Sequence, residues 1–366
     1  MAKTIEGVQD IKVITNNLPP EIDRAAKDIK VSEDLYTKGA ARGLSLTSML
    51  EELDPSQPGD MMNAFERQLC KQGIRVQGSA VDAVERFFQT YEDKILFPEF
   101  IAKQVQVGKE KVGQLSDIVA LRTKIDSTEY KSMWMDDDVA GNKEENRRLV
   151  RVTEYADMPG VKLKTAETAI KIYKYGRYIQ TSYEFLRRQK IDVVALFFQA
   201  MGMQIQKDKF AAAMNVLING DGNSNAAAIT NWAGTSISYK DLVSFKLAFE
   251  DDTFNLSYMI APLATAVDVY DLERFNNALV SGLDAARSGA MPKPLNVPLV
   301  SDLSHTLPAN TILGIDKSMA IQEVYETELL TETEQVIRSQ FNGTAVSEVV
   351  GYAKLLPKAT RLLQKA

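Results

Sequence analysis

Cysteine and histidine are almost missing from this 366-residue sequence: Cys70 and His305 each stand alone. A single thiol excludes an intramolecular disulfide and any multi-cysteine metal set, and a single imidazole excludes the multi-histidine sites of zinc enzymes. Long apolar runs are missing too. No stretch reaches the ~18 consecutive apolar residues of a helical membrane span, because Gln, Lys or Asp interrupts each candidate. The opening "MAKTIEGVQD" lacks the basic-then-apolar layout of a secretory signal, so the sequence predicts a chain of cytosolic origin. Positive charge is not in excess: 43 Lys and Arg stand against 49 Asp and Glu, a net charge of −6. Recognition of nucleic acid by the whole surface needs the opposite balance, since phosphate affinity rests on Lys and Arg.

What is present is an ordinary globular balance, 45% hydrophobic and 25% charged, in a chain long enough for two or three domains. The N-terminal third reads as helical. "LSLTSMLEELDPS" and "MMNAFERQLCKQGI" carry apolar residues at helical spacing. "SAVDAVERFFQTYEDKILF" offers Ser79 as an N-cap and puts Val81, Val84, Phe87 and Phe88 on one face, with an interruption at Pro98. After Gly113 the period changes to strand-like alternation on either side of "DDDVAGNKEENRR", which predicts a long hairpin with a charged tip. A two-stranded ribbon is marginal in water and needs a surface to lie on.

A long helix follows. Thr181 and Glu184 have the spacing of a capping box, and Asn219-Gly220 is a plausible stop. Val194, Phe197, Phe198, Met201 and Ile205 recur at helical spacing as a buried stripe. Gln199, Gln206, Lys207 and Lys209 fall off it. Residues 182–218 would span roughly 50 Å if continuous, with room for a break near Lys190. Beyond it, alternating helices and strands over 236–330 predict a compact lobe, and Asn342-Gly343 reads as a type I′ hairpin turn.

Three stretches invite a chemical reading and fail it. "GDGNSN" follows a helix rather than a strand, so a turn explains it better than a phosphate loop. "SDLSH" holds Ser301, Asp302 and His305 adjacent on a proline-flanked connector, whereas a catalytic triad converges from separate elements. Asp136, Asp137 and Asp138, with Glu144 and Glu145, could hold a hard cation, but the interspersed Lys143, Arg147 and Arg148 suit a solvated tip better. No catalytic residue, metal ligand or cofactor site is assigned, and the chain is read as a non-enzyme.

The order of these elements, with the run "IKIYKYGRYIQTSYEFLRRQKIDVVALFFQAMGMQIQKDKFAAAMNVLINGDGN", resembles the tailed-bacteriophage major capsid proteins of the Hong Kong 97 fold. Ser182, Glu184 and Leu186, then Asp208, Ala211 and Gly220-Asp221-Gly222, occupy the places of that family's loose motifs. The resemblance implies an α+β capsid fold. Its parts would be a helical extension over 1–95, an N-terminal arm over 96–120 and an extended loop over 121–172. A peripheral domain would cover 173–235 and 331–366 with a spine helix at 181–218, and an axial domain 236–330. Residues Asp136, Asp137, Asp138, Lys143 and Arg147 would form a loop tip reaching a neighbouring subunit. The implied partners are the chain itself, in pentamers and hexamers of a closed shell, with scaffolding, portal or cement proteins, and DNA held only non-specifically. No membrane is involved, and the implied location is the virion, assembled in the host cytoplasm. Some members of that family cross-link a loop lysine to an asparagine, parts for which Lys124, Lys131 or Lys143, Asn342 and Glu348 could be cast. An encapsulin-type compartment shares the fold and is the alternative. A cytosolic α/β enzyme built on 236–330 is a more distant one.

Overall fold

Polar caps placed just ahead of apolar-periodic stretches set the N-terminal helices. The computed structural model describes residues 29–136, 151–154, 162–276 and 293–366, apart from positions 43, 61, 79, 128, 167, 235, 337 and 339. Helices α1 (Glu33–Ala41), α2 (Leu46–Leu53) and α3 (Ala64–Lys71) come first. The Ser45 hydroxyl accepts from the Ser48 amide at α2, and Asn63 and Glu66 close a reciprocal capping box at α3. The helix expected to start at Ser79, which lies outside the described residues, is not continuous: Val84–Phe88 form a 3₁₀ turn. Thr90 then caps α4 (Tyr91–Glu110) by accepting from the Asp93 amide. Pro98 does not interrupt α4. A proline removes one helical hydrogen bond, and burial of Leu96, Phe97, Phe100, Ile101 and Val105 along the same helix offsets that loss.

The chain continues through α5 (Gln114–Ile118), β1 (Val119–Lys124), β2 (Glu129–Tyr130), β3 (Met133–Asp136), β4 (Lys162–Thr165), β5 (Ile170–Lys171) and β6 (Tyr173–Ser182). Next come α6 (Tyr183–Arg188), α7 (Ile191–Asn219), β7 (Ala228–Trp232), α8 (Tyr239–Asp251), β8 (Tyr258–Ala261), α9 (Leu263–Tyr270) and α10 (Glu273–Asn276). The last elements are β9 (Leu299–Ser301), β10 (Thr311–Ile315), β11 (Ile321–Val336), β12 (Phe341–Lys354) and β13 (Thr360–Lys365). One four-stranded sheet runs in the order β1-β11-β12-β6, with β1 parallel to β11. A five-stranded sheet runs β7-β13-β10-β8-β9. In it β10 is antiparallel to β13 and β8, while β7 and β9 are parallel to their neighbours. Two ribbons, β2-β5 and β3-β4, have two strands each.

Strand β13 pairs with β10 and β7. One sequence expectation needs correction here. Asn342-Gly343 is not the hairpin turn, because both residues lie within β12. Gly343 is there for space: a Cβ on it would fall 1.9 Å from the Tyr178 hydroxyl.

The chain divides into two compact units. The first holds residues up to 113, 174–206 and 327–349. Its core joins Leu46, Leu50, Phe65, Leu69 and Phe87 with Phe97, Phe100, Leu186, Val194, Phe198 and Val346. The second holds 114–173, 207–326 and 350–366. There the five-stranded sheet buries Met259, Ile260, Ile312, Leu313 and Ile315, and α8 buries Leu242, Phe245 and Phe249. Gly314 lets Phe245 approach the sheet, since a Cβ would meet its ring at 2.7 Å. A smaller cluster of Ile170, Val324 and Ala353 joins β5, β11 and β12.

Candidate functional site

Helix α7 is the longest element, at 29 residues, and its faces carry the features of interest. It is preceded by α6, whose cap lies one residue later than the sequence predicts. The Ser182 hydroxyl accepts from the Phe185 amide. Thr181 is still in strand β6 and donates its hydroxyl to the Asn342 carbonyl. Strand pairing therefore extends to Ser182 and shifts the cap. With Phe185 at the third helical position, no reciprocal box can form, and Glu184 sits exposed, 4.0 Å from Arg188.

The helical run is broken at Gln189, which is extended. Lys190 forms an isolated antiparallel bridge with Ala83; the Val84 amide donates to the Gln189 carbonyl and the Ile191 amide to the Asp82 carbonyl. The first amide of α7 is thus satisfied by backbone from the N-terminal segment. At the other end Gly220 has φ +85°, the left-handed residue that closes a helix C-terminus. Gly222 is likewise left-handed, and Asn225 accepts from the Asp221 amide, so "GDGNSN" is a closed turn.

Val194 and Phe198 are buried, and Met201 and Ile205 are half-buried. Phe197 is not in the core: it is 67% exposed, beside Leu196 at 64%. From Val194, a step of three lands on Phe197 and a step of four on Phe198, and helix α4 selects the second. Gly202 of α7 and Gly108 of α4 make the contact between the two helices. A Cβ on Gly202 would fall 2.0 Å from the Val105 carbonyl oxygen, and one on Gly108 would fall 2.0 Å from the Gln199 carbonyl oxygen. The close crossing also buries polar side chains expected outside. Gln199 donates to Gln104 at 2.7 Å and accepts from Lys111 at 2.6 Å, and Gln206 is buried as well. Lys207 is exposed. On the outward side, Val193, Leu196 and Phe197 leave an apolar strip, and Val193 and Leu196 line a groove of about 290 Å³ together with Val76, Gln77, Phe100 and Asp192.

Ion pairs with buried carboxylates hold the units internally. Lys109 pairs with Glu348 in the first. In the second, Lys209 is buried against Glu323 at 2.8 Å, and Arg122 reaches the same carboxylate at 3.1 Å while stacking on the Tyr325 ring. Lys354 donates to the Leu217 carbonyl in the last turn of α7, and its backbone amide donates to Asp221. Burial pushes the Lys354 amine down to about 8, partly opposed by the Asp221 carboxylate.

The other sequence candidates are structural. Asp302 accepts from the Ser304 amide and hydroxyl and from the Leu307 amide, so its carboxylate organises a connector rather than orienting His305. Cys70 contacts Met62 at 3.4 Å. Asn342 is buried, and Glu348 is taken by Lys109. Asp136 closes β3, while Asp137, Asp138, Lys143 and Arg147 lie outside the described residues. Among the described residues no three His, Cys, Asp or Glu side chains converge as a metal site, and no helix is long and apolar enough to cross a membrane. The sequence reading missed Gly108 and Gly202; an isolated glycine inside a helical pattern was the available signal.

Comparison with known proteins places this architecture. The family described as phage capsid protein matches residues 165–359, more than half of the chain. The capsid of cyanophage P-SCSP1u aligns with TM-score 0.50 at 14% identity, covering 69% of this chain and 88% of the other. The capsid of a native GTA particle aligns with TM-score 0.51 at 12% identity, covering 71% and 90%. An encapsulin of Synechococcus elongatus PCC 7942 aligns at 10% identity with TM-score 0.44, over 69% and 86% of the two chains, too distant to bear on the argument. No curated protein matches. At these identities the structural likenesses establish the Hong Kong 97-type capsid fold, while the family match covers α7, the five-stranded sheet apart from β13, and all of β11 and β12. The chain belongs to the phage capsid protein family and is a major capsid protein, a structural component of the virion shell.

Proposed function

We propose that this chain closes into an icosahedral head of pentamers and hexamers that encloses phage DNA without reading its sequence. The observation that carries the proposal is the exposed strip of Val193, Leu196 and Phe197 on α7. Large apolar side chains left side by side in water mark a surface that a partner covers, and repeated contacts about closed axes turn one such subunit into a shell. The two-stranded β3-β4 ribbon fits the same reading, because a ribbon of that size gains stability by lying on a neighbour. In this division of labour 96–120 acts as the arm and 121–172 as the extended loop. The run 181–218 acts as the spine of the peripheral domain, and 236–330 as the axial domain. The tip around Asp136–Arg147 would meet the adjacent subunit. The net charge of −6 suits a wall that confines DNA by closure. Assembly would take place in the host cytoplasm, with scaffolding, portal or cement proteins as further partners, and catalysis is not part of the role.

The test is the content of particles purified from the producing host. Nuclease-protected DNA of uniform length inside shells made of this chain supports the proposal. Shells filled with protein cargo and no DNA would favour the compartment reading instead.

A further inference from the structure

The family match begins at residue 165, so the helical segment ahead of α4 lies wholly outside it. A segment destined for removal from a shell protein would carry its own core and share few buried contacts with the rest of the subunit. This segment does the opposite. Leu46, Leu50, Phe65, Leu69, Ile74, Val84 and Phe87 belong to one buried cluster with Phe97, Phe100, Ile101, Leu186, Ile191, Val194 and Phe198. The Phe87 ring lies 5.4 Å from that of Phe97 and 5.3 Å from that of Phe100. Lys103 of α4 sits over the Phe65 ring at 4.7 Å, and the Thr47 amide and hydroxyl both donate to Glu99 of α4.

The second observation is backbone. Asp82 and Val84 bond on either side of the Ala83–Lys190 bridge, so the segment grips the chain where α6 ends and α7 starts. The Glu85–Arg187 pair at 3.2 Å lies at the same place, on the last turn of α6. Without residues 82–84, the Gln189 carbonyl and the first amide of α7 lose these partners, and the backbone bonds that bridge the junction of the two helices are gone.

We propose that residues 31–88 are a permanent part of the shell subunit, a clamp that sets the α6–α7 junction, and that any N-terminal processing of this chain stops before Val31. The proposal rests on the shell reading for its setting, although the clamp is a property of the single subunit. Limited proteolysis of the unassembled full chain, read by mass spectrometry, should give a stable fragment beginning at or before Val31. A stable folded fragment beginning after Phe88 overturns the proposal. Subunits from mature virions should retain Val31–Phe88 by intact mass, and their loss from the shell overturns it equally. Deleting residues 2–28 should leave a cooperative melting transition in place, whereas deleting 2–88 should abolish it. A 2–88 deletion that folds and assembles contradicts the clamp. Failure of the full chain to form particles would count against the shell reading alone, since the proteolysis result stands without assembly.

Discussion

Phe197 and Phe198 are adjacent, chemically identical and placed in opposite environments, so they separate folding from assembly. Phe198 is 4% exposed, in the cluster where α7 meets α4. Truncating a buried Phe to Ala loses its transfer free energy and leaves a cavity, about 3–5 kcal/mol in total. Against a typical unfolding free energy of about 5–15 kcal/mol, Phe198→Ala should be severe. Phe197 is 67% exposed, so only about a third of its surface is hidden in the subunit. A third of the about 1.5–3 kcal/mol for burying such a side chain is about 0.5–1 kcal/mol. The assay is urea unfolding of the unassembled subunit, followed by light scattering under assembly conditions. Phe198→Ala should lower the unfolding midpoint strongly. Phe197→Ala should leave it nearly unchanged and slow or prevent particle formation. Equal destabilisation by both variants, or normal assembly of Phe197→Ala, would refute the assignment of the two faces.

Three further expectations concern groups inside the units. Gly202→Val should destabilise by about 1–3 kcal/mol in chemical denaturation, because the added atoms collide with the Val105 backbone and overpacked cores respond on that scale. Glu348→Ala should cost about 1–3 kcal/mol by removing the carboxylate that pairs with the half-buried Lys109 ammonium; Lys109→Met with Glu348→Leu should recover most of that loss. Lys354 supplies a pH signature. Its folded value of about 8 lies below the ordinary 10.5, so between those values the unfolded chain binds more protons than the folded one. Its contribution to stability therefore rises with pH across that window. The stability of the native chain minus that of Lys354→Met should increase from pH 8 to pH 10.5, and a flat or falling difference contradicts the buried-amine account.

The sequence carried the element order well and the facing of residues less well, for identifiable physical reasons. Asn219-Gly220 could be read as a helix stop because a left-handed residue there favours glycine. Local rules failed where a distant partner decides. Thr181 has the chemistry of a cap, but pairing of β6 keeps it in the strand, and the task passes to Ser182. Asn342-Gly343 has the chemistry of a turn, yet Gly343 serves to admit the Tyr178 ring. Helical spacing of three and four allowed either Phe197 or Phe198 inside, and only the crossing of α4 through Gly108 and Gly202 resolves it. The same crossing explains why Gln199, a polar residue, is buried: Gln104 and Lys111 wait there for its amide. The N-terminal helices were visible as helices, but their sharing of one core with α7 is a long-range fact that no window of sequence contains.

The most direct test of the account is electron microscopy of the purified full-length chain over a range of concentrations and salt. Closed shells of uniform diameter, tens of nanometres across and built from this chain, are the expected result. Small discrete oligomers under every condition, with no closed particle, would contradict it.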